Sequence, residues 1–306
     1  MSEFIQVREV GLRDGLQLIG TLLPTKIKQD WFAKQIDAGF KEVEISSMVP
    51  KKLLPQFSDA EDMINYANQF SNCSNCVLVP NSKGAQLAFK ARAKKLIFVL
   101  SASEAHNLAN VRMTIQKSVN ELKEIISLKK AMAKPDEIKI IGSISTSFGC
   151  SISGKISEDT VLKIVETILD LGLDEISIAD TVGYANPRQV TSLMKKVVKL
   201  SNSVPVIGHF HDTKGFGLAN LVAAVDQGVK KFDASLRGLG GCPYAPGASG
   251  NIATEDCINL LESMGYNTGI DLGKLKILCQ LIEKWLPNEA LHGKFLSTKS
   301  TTAQKI

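Results

Sequence analysis

Two of the four histidines in the chain, His209 and His211, are separated by one residue at the end of an apolar segment. If Pro205–Phe210 forms a β-strand, side chains two residues apart project from the same face. Both imidazoles would then point at one spot, as adjacent ligands of a divalent cation must. Two histidines hydrogen-bonded at a polar strand end would give the same pattern, so further ligands must converge there before a metal site is favoured.

Two further candidate ligands lie far apart along the chain. Asp14 follows the first predicted strand, and Asn251 ends a glycine-rich loop that follows the eighth. One carboxylate, one amide oxygen and two imidazoles suit Mg²⁺ or Mn²⁺, with Co²⁺, Fe²⁺ or Zn²⁺ as competitors. Asp14 could instead cap a turn, and Asn251 could instead hold its loop. Because all four residues are predicted at strand ends, we favour a metal site.

Four more residues are candidates for catalysis. Arg13 stays cationic and is suited to stabilising negative charge on an oxygen. Glu44 could hold Arg13, orient a metal-bound water, or pair with a lysine. Asp180 ends the sixth predicted strand, where it could also cap a helix. Cys242 lies in a glycine-dense loop that could act as a lid; it could exchange a proton with substrate or be a small buried thiol.

The elements that must position these residues alternate along the chain. Short apolar or β-branched segments predict eight strands, at Phe4–Val10, Glu42–Ser46, Cys76–Val79, Leu96–Leu100, Lys139–Ile144, Glu175–Ile178, Val206–Phe210 and Phe232–Ser235. Helical periodicity between them predicts helices that include Lys26–Ala38, Ala60–Gln69, Ile115–Ala133, Asp159–Leu171, Pro187–Leu200 and Leu218–Gln227. Several of these helices stop at a glycine, namely Gly39, Gly172 and Gly228.

Strands alternating with helices predict parallel βαβ units throughout. No Gly-x-Gly-x-x-Gly follows the first strand and no Walker loop is present, which disfavours a nucleotide-binding doubly wound sheet. A (β/α)8 TIM barrel of roughly 250 residues fits the span from Phe4 to about Met264. We therefore predict one catalytic domain over residues 1–306, with an added helix at Leu272–Trp285 inside a C-terminal extension at 270–306. In such a barrel, active-site residues gather where the strands end.

Composition limits the classes of protein that remain. The 306 residues are 44% hydrophobic and 22% charged, as in a globular protein with a sizeable core. The net charge of +5 comes from scattered lysines and aromatics are only 6%, so nucleic-acid binding is not expected. No membrane span or targeting segment is visible, and we expect a cytoplasmic location. The six cysteines predict no disulfide framework, and we regard Cys73–Cys76 as incidental.

Taken together, these residues resemble the 3-hydroxy-3-methylglutaryl-CoA (HMG-CoA) lyase family, a group of metal-dependent (β/α)8-barrel enzymes. The resemblance spans almost the whole chain. The most specific segment is the cysteine loop, which related synthases generally lack, so the resemblance favours cleavage over condensation. The matching segments are Val7–Gln17, Val79–Asn81 with Gly84, Ile178–Gly183, His209–Thr213, Gly238–Asp256 and Gly265–Gly269.

The resemblance implies roles for individual residues. The ligands of a Mg²⁺ or Mn²⁺ ion would be Asp14, His209, His211 and Asn251. Arg13 would stabilise an enolate oxygen, Glu44 would be a polar group of the active site, and Cys242 would be a lid thiol involved in proton transfer. The implied reaction is retro-Claisen cleavage of a β-hydroxyacyl-CoA: the cation acidifies the tertiary hydroxyl, a base removes its proton, and the carbon–carbon bond breaks. Acetyl-CoA would leave as an enolate that a nearby acid reprotonates. HMG-CoA would give acetyl-CoA and acetoacetate, a step that the family resemblance places in leucine degradation. A homodimer is a further expectation.

The chain departs from the family pattern at three places near the predicted barrel mouth. These are Leu18-Ile19, where Asn-Glu is usual, Cys150–Gly154, where the family tends to show Cys-Pro-Tyr-Glu-Gly, and Lys214, where tyrosine is common. A lyase for another β-hydroxyacyl-CoA, such as citramalyl-CoA, is therefore the first alternative. A Claisen-type synthase that condenses acetyl-CoA with a 2-oxo acid is the second, and a non-catalytic or nucleic-acid-binding barrel is the third.

Overall fold

A computed structural model describes residues 2–241 and 250–295 of the chain. Within them, eight parallel strands close into a barrel in which each strand pairs with its neighbours in sequence and the last pairs with the first. This confirms the predicted (β/α)8 TIM barrel. The strands are β1 (Gln6–Glu9), β2 (Glu42–Ser47), β3 (Ser74–Val79), β4 (Lys95–Ser101), β5 (Lys139–Ser145), β6 (Glu175–Asp180), β7 (Val206–Phe210) and β8 (Lys231–Ala234).

Helices surround the barrel and bury their apolar faces against the strands. In the described part of the chain they are α1 (Thr25–Ala38), α2 (Ala60–Ala67), α3 (Ser82–Lys90), α4 (Glu104–Val111), α5 (Ile115–Lys130), α6 (Glu158–Leu169), α7 (Pro187–Ser201), α8 (Gly217–Val225), α9 (Thr254–Ser263) and α10 (Leu272–Trp285). We found none among them whose length and apolar content would allow it to cross a membrane.

Most predicted boundaries agree with the structure to within a few residues. The strand Val206–Phe210 and the helix Leu272–Trp285 have the predicted limits. Gly39, Gly172 and Gly228 have φ values of 112°, 87° and 91°, in the left-handed region where glycine ends a helix without steric cost. The predicted helices did not include α3, α4 or α9, which are only eight to ten residues long.

The amino-terminal end of the barrel is closed by a ring of four buried charges. Each side chain comes from the first residue of an even-numbered strand: Glu42, Lys95, Glu175 and Lys231. Lys95 bonds Glu42 and lies 2.5 Å from Glu175, while Lys231 lies 2.5 Å from Glu42 and 2.6 Å from Glu175. Four side chains from alternate strands form one layer of such a barrel, so this charged ring replaces an apolar layer.

The helix α10 packs on the outside of the barrel. Trp285 near its end lies against Trp31 of α1, with 6.3 Å between ring centroids. The chain then returns toward the carboxyl-terminal side of β8, where the His292 N–H donates to the Arg237 carbonyl oxygen at 2.7 Å. The predicted C-terminal extension therefore covers the β1–β8 side of the barrel as far as residue 295.

Candidate metal and substrate site

Three of the predicted metal ligands meet at the carboxyl-terminal mouth of the barrel. Asp14 lies in the helical turn Gly11–Gly15 directly after β1, and His209 and His211 lie at the end of β7. One ligand atom from each side chain lies within 4.8 Å of the other two. The two imidazole rings lie side by side with 5.3 Å between centroids, as their spacing on a strand predicts.

Asn251 is held next to these three residues by backbone pairing. It forms an isolated antiparallel bridge with His211, and its Nδ2 donates to Asp14 Oδ2 at 2.7 Å and to the Leu239 carbonyl oxygen at 3.2 Å. A Cβ on Gly250 would lie 2.2 Å from the Gly238 carbonyl oxygen. The loop therefore needs glycine at this position to bring Asn251 to the site.

The side chains at this site fit a divalent cation. In the described residues, Asn251 Oδ1 is buried without a hydrogen-bond partner, an arrangement that costs free energy unless another group satisfies it. Nε2 of His211 faces Asp14 Oδ2 at 3.8 Å, as Nε2 of His209 does. The donor set of one carboxylate, two imidazoles and one amide oxygen is the mixed oxygen and nitrogen set expected for Mg²⁺, Mn²⁺ or a similar ion.

A buried aspartate that the sequence analysis missed orients one of the histidines. His209 Nδ1 donates to Asp233 Oδ2 at 3.1 Å, and Asp233 is held by two bonds from Arg8, at 2.7 and 2.8 Å. This leaves Nε2 of His209 facing Asp14, at 3.8 Å. Asp233 thus fixes the tautomer of His209 in which Nε2 faces the other candidate ligands.

The same charges control ionisation at the site. Burial opposes ionisation of Asp14 and Asp233, but the adjacent cationic groups outweigh it and hold the pKa of each carboxyl well below its usual range. Burial alone would lower the pKa of His209, yet Asp233 and Asp14 raise it. Asp14 is therefore a carboxylate at any physiological pH, as a metal ligand must be.

Arg13 is clamped beside the ligands. Its Nε and Nη2 donate to the two oxygens of buried Glu44 at 2.6 and 2.9 Å. Its Nη1 donates to Asp14 Oδ1 at 2.8 Å and to Gln17 Oε1 at 3.1 Å. These contacts support one of the three roles predicted for Glu44, which is to hold Arg13 in place. Five N–H bonds are available on a guanidinium, so in the described structure one on Nη2 has no protein acceptor.

The other two candidate catalytic residues are Asp180, which the structure describes, and Cys242, which it does not. Asp180 ends β6, and its two carboxylate oxygens accept the N–H groups of Tyr184 and Ala185 at 2.9 and 3.0 Å. These bonds hold the turn that follows β6, next to Thr181 on the cavity wall. Cys242 lies outside the described residues.

A cavity of about 840 Å³ opens over the site. Arg13, Asp14, Glu44 and both histidines line it, as does Asp233. Its wall continues toward the segments that follow β2, β3 and β4, which supply apolar side chains and three cations. The volume is in the range that accommodates a small-molecule ligand with most of its surface buried.

The chain is similar in sequence and in structure to known proteins. A family model described as HMGL-like matches residues 4–282. The mitochondrial hydroxymethylglutaryl-CoA lyase of Arabidopsis thaliana is 36% identical over 309 residues; the match covers 100% of this chain and 65% of that protein. The hydroxymethylglutaryl-CoA lyase YngG of Bacillus subtilis is 35% identical, with 92% of each chain covered. The structure of an HMG-CoA lyase from Acinetobacter baumannii with coenzyme A and 3-methylmalate has a TM-score of 0.92 and 40% identity, over 99% of this chain and 98% of that one.

Proposed function

This chain belongs to the HMGL-like family, and we propose that it is a carbon–carbon lyase that cleaves 3-hydroxy-3-methylglutaryl-CoA into acetyl-CoA and acetoacetate. The observation that carries the proposal is the convergence of Asp14, His209 and His211 beside a clamped Arg13 in one cavity. The two sequence relatives and the solved structure described above are all named as lyases for this thioester.

We propose that Asp14, His209, His211 and Asn251 hold a divalent cation. A bound Mg²⁺ or Mn²⁺ would supply Lewis acidity, which lowers the pKa of a substrate hydroxyl and favours its ionised form. Asp233 keeps His209 in the tautomer that presents Nε2, and Arg8 keeps Asp233 in place. The protein therefore provides a rigid, anionic and partly buried cradle before the substrate arrives.

Arg13 would stabilise the charge that develops when the carbon–carbon bond breaks. Departure of acetyl-CoA as an enolate places negative charge on the thioester oxygen. The free N–H on Arg13 Nη2 can donate to that oxygen, and the bonds to Glu44, Asp14 and Gln17 fix the guanidinium in advance. Such preorganised donors stabilise a developing anion without reorganisation during the reaction.

Proton transfer is assigned by family resemblance and chemistry. Cys242 remains the proposed lid thiol that exchanges a proton with the acetyl-CoA carbon. Asp180 was predicted as a catalytic residue; because both its oxygens accept backbone N–H groups, we propose that it positions the turn after β6.

A cytoplasmic location, a homodimer and the single-domain boundaries remain predictions from the sequence.

One observation favours a second candidate substrate. The Acinetobacter baumannii structure is described with 3-methylmalate, a hydroxy diacid other than the product of HMG-CoA cleavage. The present chain also departs from the family pattern at Leu18-Ile19, Cys150–Gly154 and Lys214, around the barrel mouth. Cleavage of another β-hydroxyacyl-CoA, such as citramalyl-CoA or 3-methylmalyl-CoA, is therefore the alternative.

A panel of thioesters tests these proposals. The purified protein is incubated with Mg²⁺ or Mn²⁺ and HMG-CoA, citramalyl-CoA or 3-methylmalyl-CoA, and release of the short acyl-CoA is followed by chromatography. We expect the highest kcat/KM with HMG-CoA. A higher value with another ester would transfer the assignment to that substrate. Failure to cleave any ester, together with condensation of acetyl-CoA and a 2-oxo acid, would reject the lyase.

A further inference from the structure

We infer that the end of the C-terminal extension positions two of the four candidate metal ligands, Asp14 and Asn251. The segment concerned is 286–295, which we call the strap. It contains none of the four ligands, and it lies against the loops that follow β1 and β8. The inference rests on the proposed function, because it concerns the spacing of side chains that are proposed to hold the cation.

The four candidate ligands differ in how their backbone is held. His209 belongs to β7, which pairs with β6 and β8, and His211 follows directly. Asp14 lies in a single helical turn, and Asn251 pairs with His211 only through an isolated bridge. A cation site needs its ligands held to within about 0.5 Å of their working positions. The spacing of Asp14 and Asn251 therefore depends on what holds their loops.

On the Asp14 side, the strap holds the loop that joins the turn carrying Asp14 to α1. Glu289 Oε1 accepts two hydrogen bonds from Thr21, one from the backbone N–H at 2.9 Å and one from the hydroxyl at 2.6 Å. The same loop is also held by Gln56 Nε2, which donates to the Ile19 carbonyl oxygen at 3.0 Å. The strap thus fixes the outer end of a loop whose inner end carries Asp14.

On the Asn251 side, the strap packs behind the loop that follows β8. The His292 N–H donates to the Arg237 carbonyl oxygen at 2.7 Å. The next residue, Gly238, has a φ of 59°, and a Cβ there would lie 3.0 Å from His292 Cβ and 3.3 Å from the Asn251 carbonyl oxygen. Gly238 therefore fills a narrow space between the strap and Asn251. Because the interior is closely packed, a shift of the strap would reach this ligand through one backbone contact.

The far end of the strap is itself fixed to the start of α9. The two oxygens of Asp256 accept the Lys294 N–H at 2.9 and 2.8 Å. Gly293 has a φ of 96°, and a Cβ there would lie 2.5 Å from Oε1 of the buried Glu255. Glu255 Oε2 accepts the Arg237 N–H at 3.1 Å, so it also holds the loop after β8. The strap and this loop are therefore packed on the same buried carboxylate.

The experiment uses two variants of the strap, each with a matched control. Glu289→Leu removes the acceptor of both Thr21 bonds, whereas the control Glu289→Gln keeps an accepting oxygen and loses only the charge. Gly293→Ala places a methyl group against Glu255. Its control is Gly265→Ala, because Gly265 has a similar φ of 88° and the described structure leaves open space around the added methyl.

Titration of Mn²⁺ into the metal-free protein, followed by electron paramagnetic resonance, gives the affinity. We expect the dissociation constant to rise about three- to tenfold in Glu289→Leu and in Gly293→Ala, the range that residues without ligand contact usually produce. Raising the Mn²⁺ concentration should restore the rate of thioester cleavage in both variants. Glu289→Gln should bind Mn²⁺ as the wild type does. Gly265→Ala should lose stability through its strained backbone but keep its affinity.

Hydrogen exchange adds a measurement that needs neither cation nor substrate. The Asp14 N–H donates to the Val10 carbonyl oxygen at 2.8 Å, and the Leu16 N–H donates to that of Gly11 at 2.9 Å, so their exchange reports opening of the turn. Both should exchange faster in Glu289→Leu than in Glu289→Gln.

Unchanged Mn²⁺ affinity and exchange in the folded variants, or equal losses in each variant and its control, would overturn the inference. A wild type that binds Mn²⁺ but cleaves no thioester would reject the proposed lyase reaction, whereas weaker Mn²⁺ binding by the strap variants alone would still support the role of the strap.

Discussion

Replacing Asp233 with asparagine should weaken divalent-cation binding by about 10- to 100-fold, because Asp233 orients His209 without itself being a ligand. In the wild type, the Asp233 carboxylate accepts the Nδ1–H of His209 at 3.1 Å, so Nε2 is left unprotonated for the metal. An asparagine would present an amide that can donate to Nδ1 and favour the opposite tautomer. The loss corresponds to about 1.4 to 2.7 kcal/mol of binding free energy.

The assay is a titration of Mn²⁺ into the metal-free protein, followed by electron paramagnetic resonance of the free ion. Asp226→Asn is the matched control, because Asp226 is an exposed aspartate at the end of α8. Arg8→Met separates affinity from folding: it breaks the Arg8–Asp233 pair but leaves the bond from His209 to Asp233. It should lower the melting temperature with a smaller loss of Mn²⁺ affinity than Asp233→Asn.

Asp233 would have no part in orienting His209 for the cation if folded Asp233→Asn bound Mn²⁺ as tightly as the wild type. If Arg8→Met lost as much affinity as Asp233→Asn, the effect would come from the Arg8–Asp233 ion pair and not from the tautomer of His209.

Three further predictions concern the barrel and the lid. Lys231→Met leaves the buried ring with an uncompensated negative charge and should lower the free energy of unfolding by about 3–5 kcal/mol in urea titrations. The double variant Glu42→Gln/Lys231→Met should recover part of this loss. An unchanged free energy of unfolding in Lys231→Met would show that the ring adds no stability. Burial raises the pKa of Glu9 from an ordinary value of 4.5 to about 8, so between about pH 5 and pH 8 the folded protein keeps a proton that the unfolded chain releases. The stability contributed by Glu9 should therefore fall by about 1.4 kcal/mol per pH unit as pH rises through this window, and Glu9→Gln should flatten the profile of unfolding free energy against pH; equal slopes would contradict this. Cys242→Ser should slow turnover sharply without loss of Mn²⁺ affinity, and an unaffected rate would leave the thiol with a packing role.

The sequence was sufficient to predict how three of the candidate metal ligands come together. His209 and His211 share a face because strand side chains alternate with a period of two, and Asp14 joins them because parallel strands end at one side of a barrel. Those rules depend only on local pattern and on topology, which is why the limits of the strand Val206–Phe210 were also predicted.

The residues that support the ligands were missed because they bear no motif. Asp233 and Lys231 lie two residues apart in a short apolar strand, and charged residues at alternate positions of such a strand signal an inward-facing polar network. The same signal occurs in the ring, where each even-numbered strand begins with a charged residue. The partners of Asp233 are His209, 24 residues away in the chain, and Arg8, 225 residues away. Only the closed barrel shows that these residues meet.

The role of the cation in the reaction is tested by the rate of HMG-CoA cleavage by the wild type and by His211→Ala, with and without added Mn²⁺. We expect the wild type to release acetyl-CoA and acetoacetate in equal amounts and to lose this activity when the cation is chelated. Folded His211→Ala should show no metal-dependent turnover. Wild-type activity that persists after complete chelation, or a His211→Ala rate equal to that of the wild type, would show that these side chains do not hold a cation that the reaction needs.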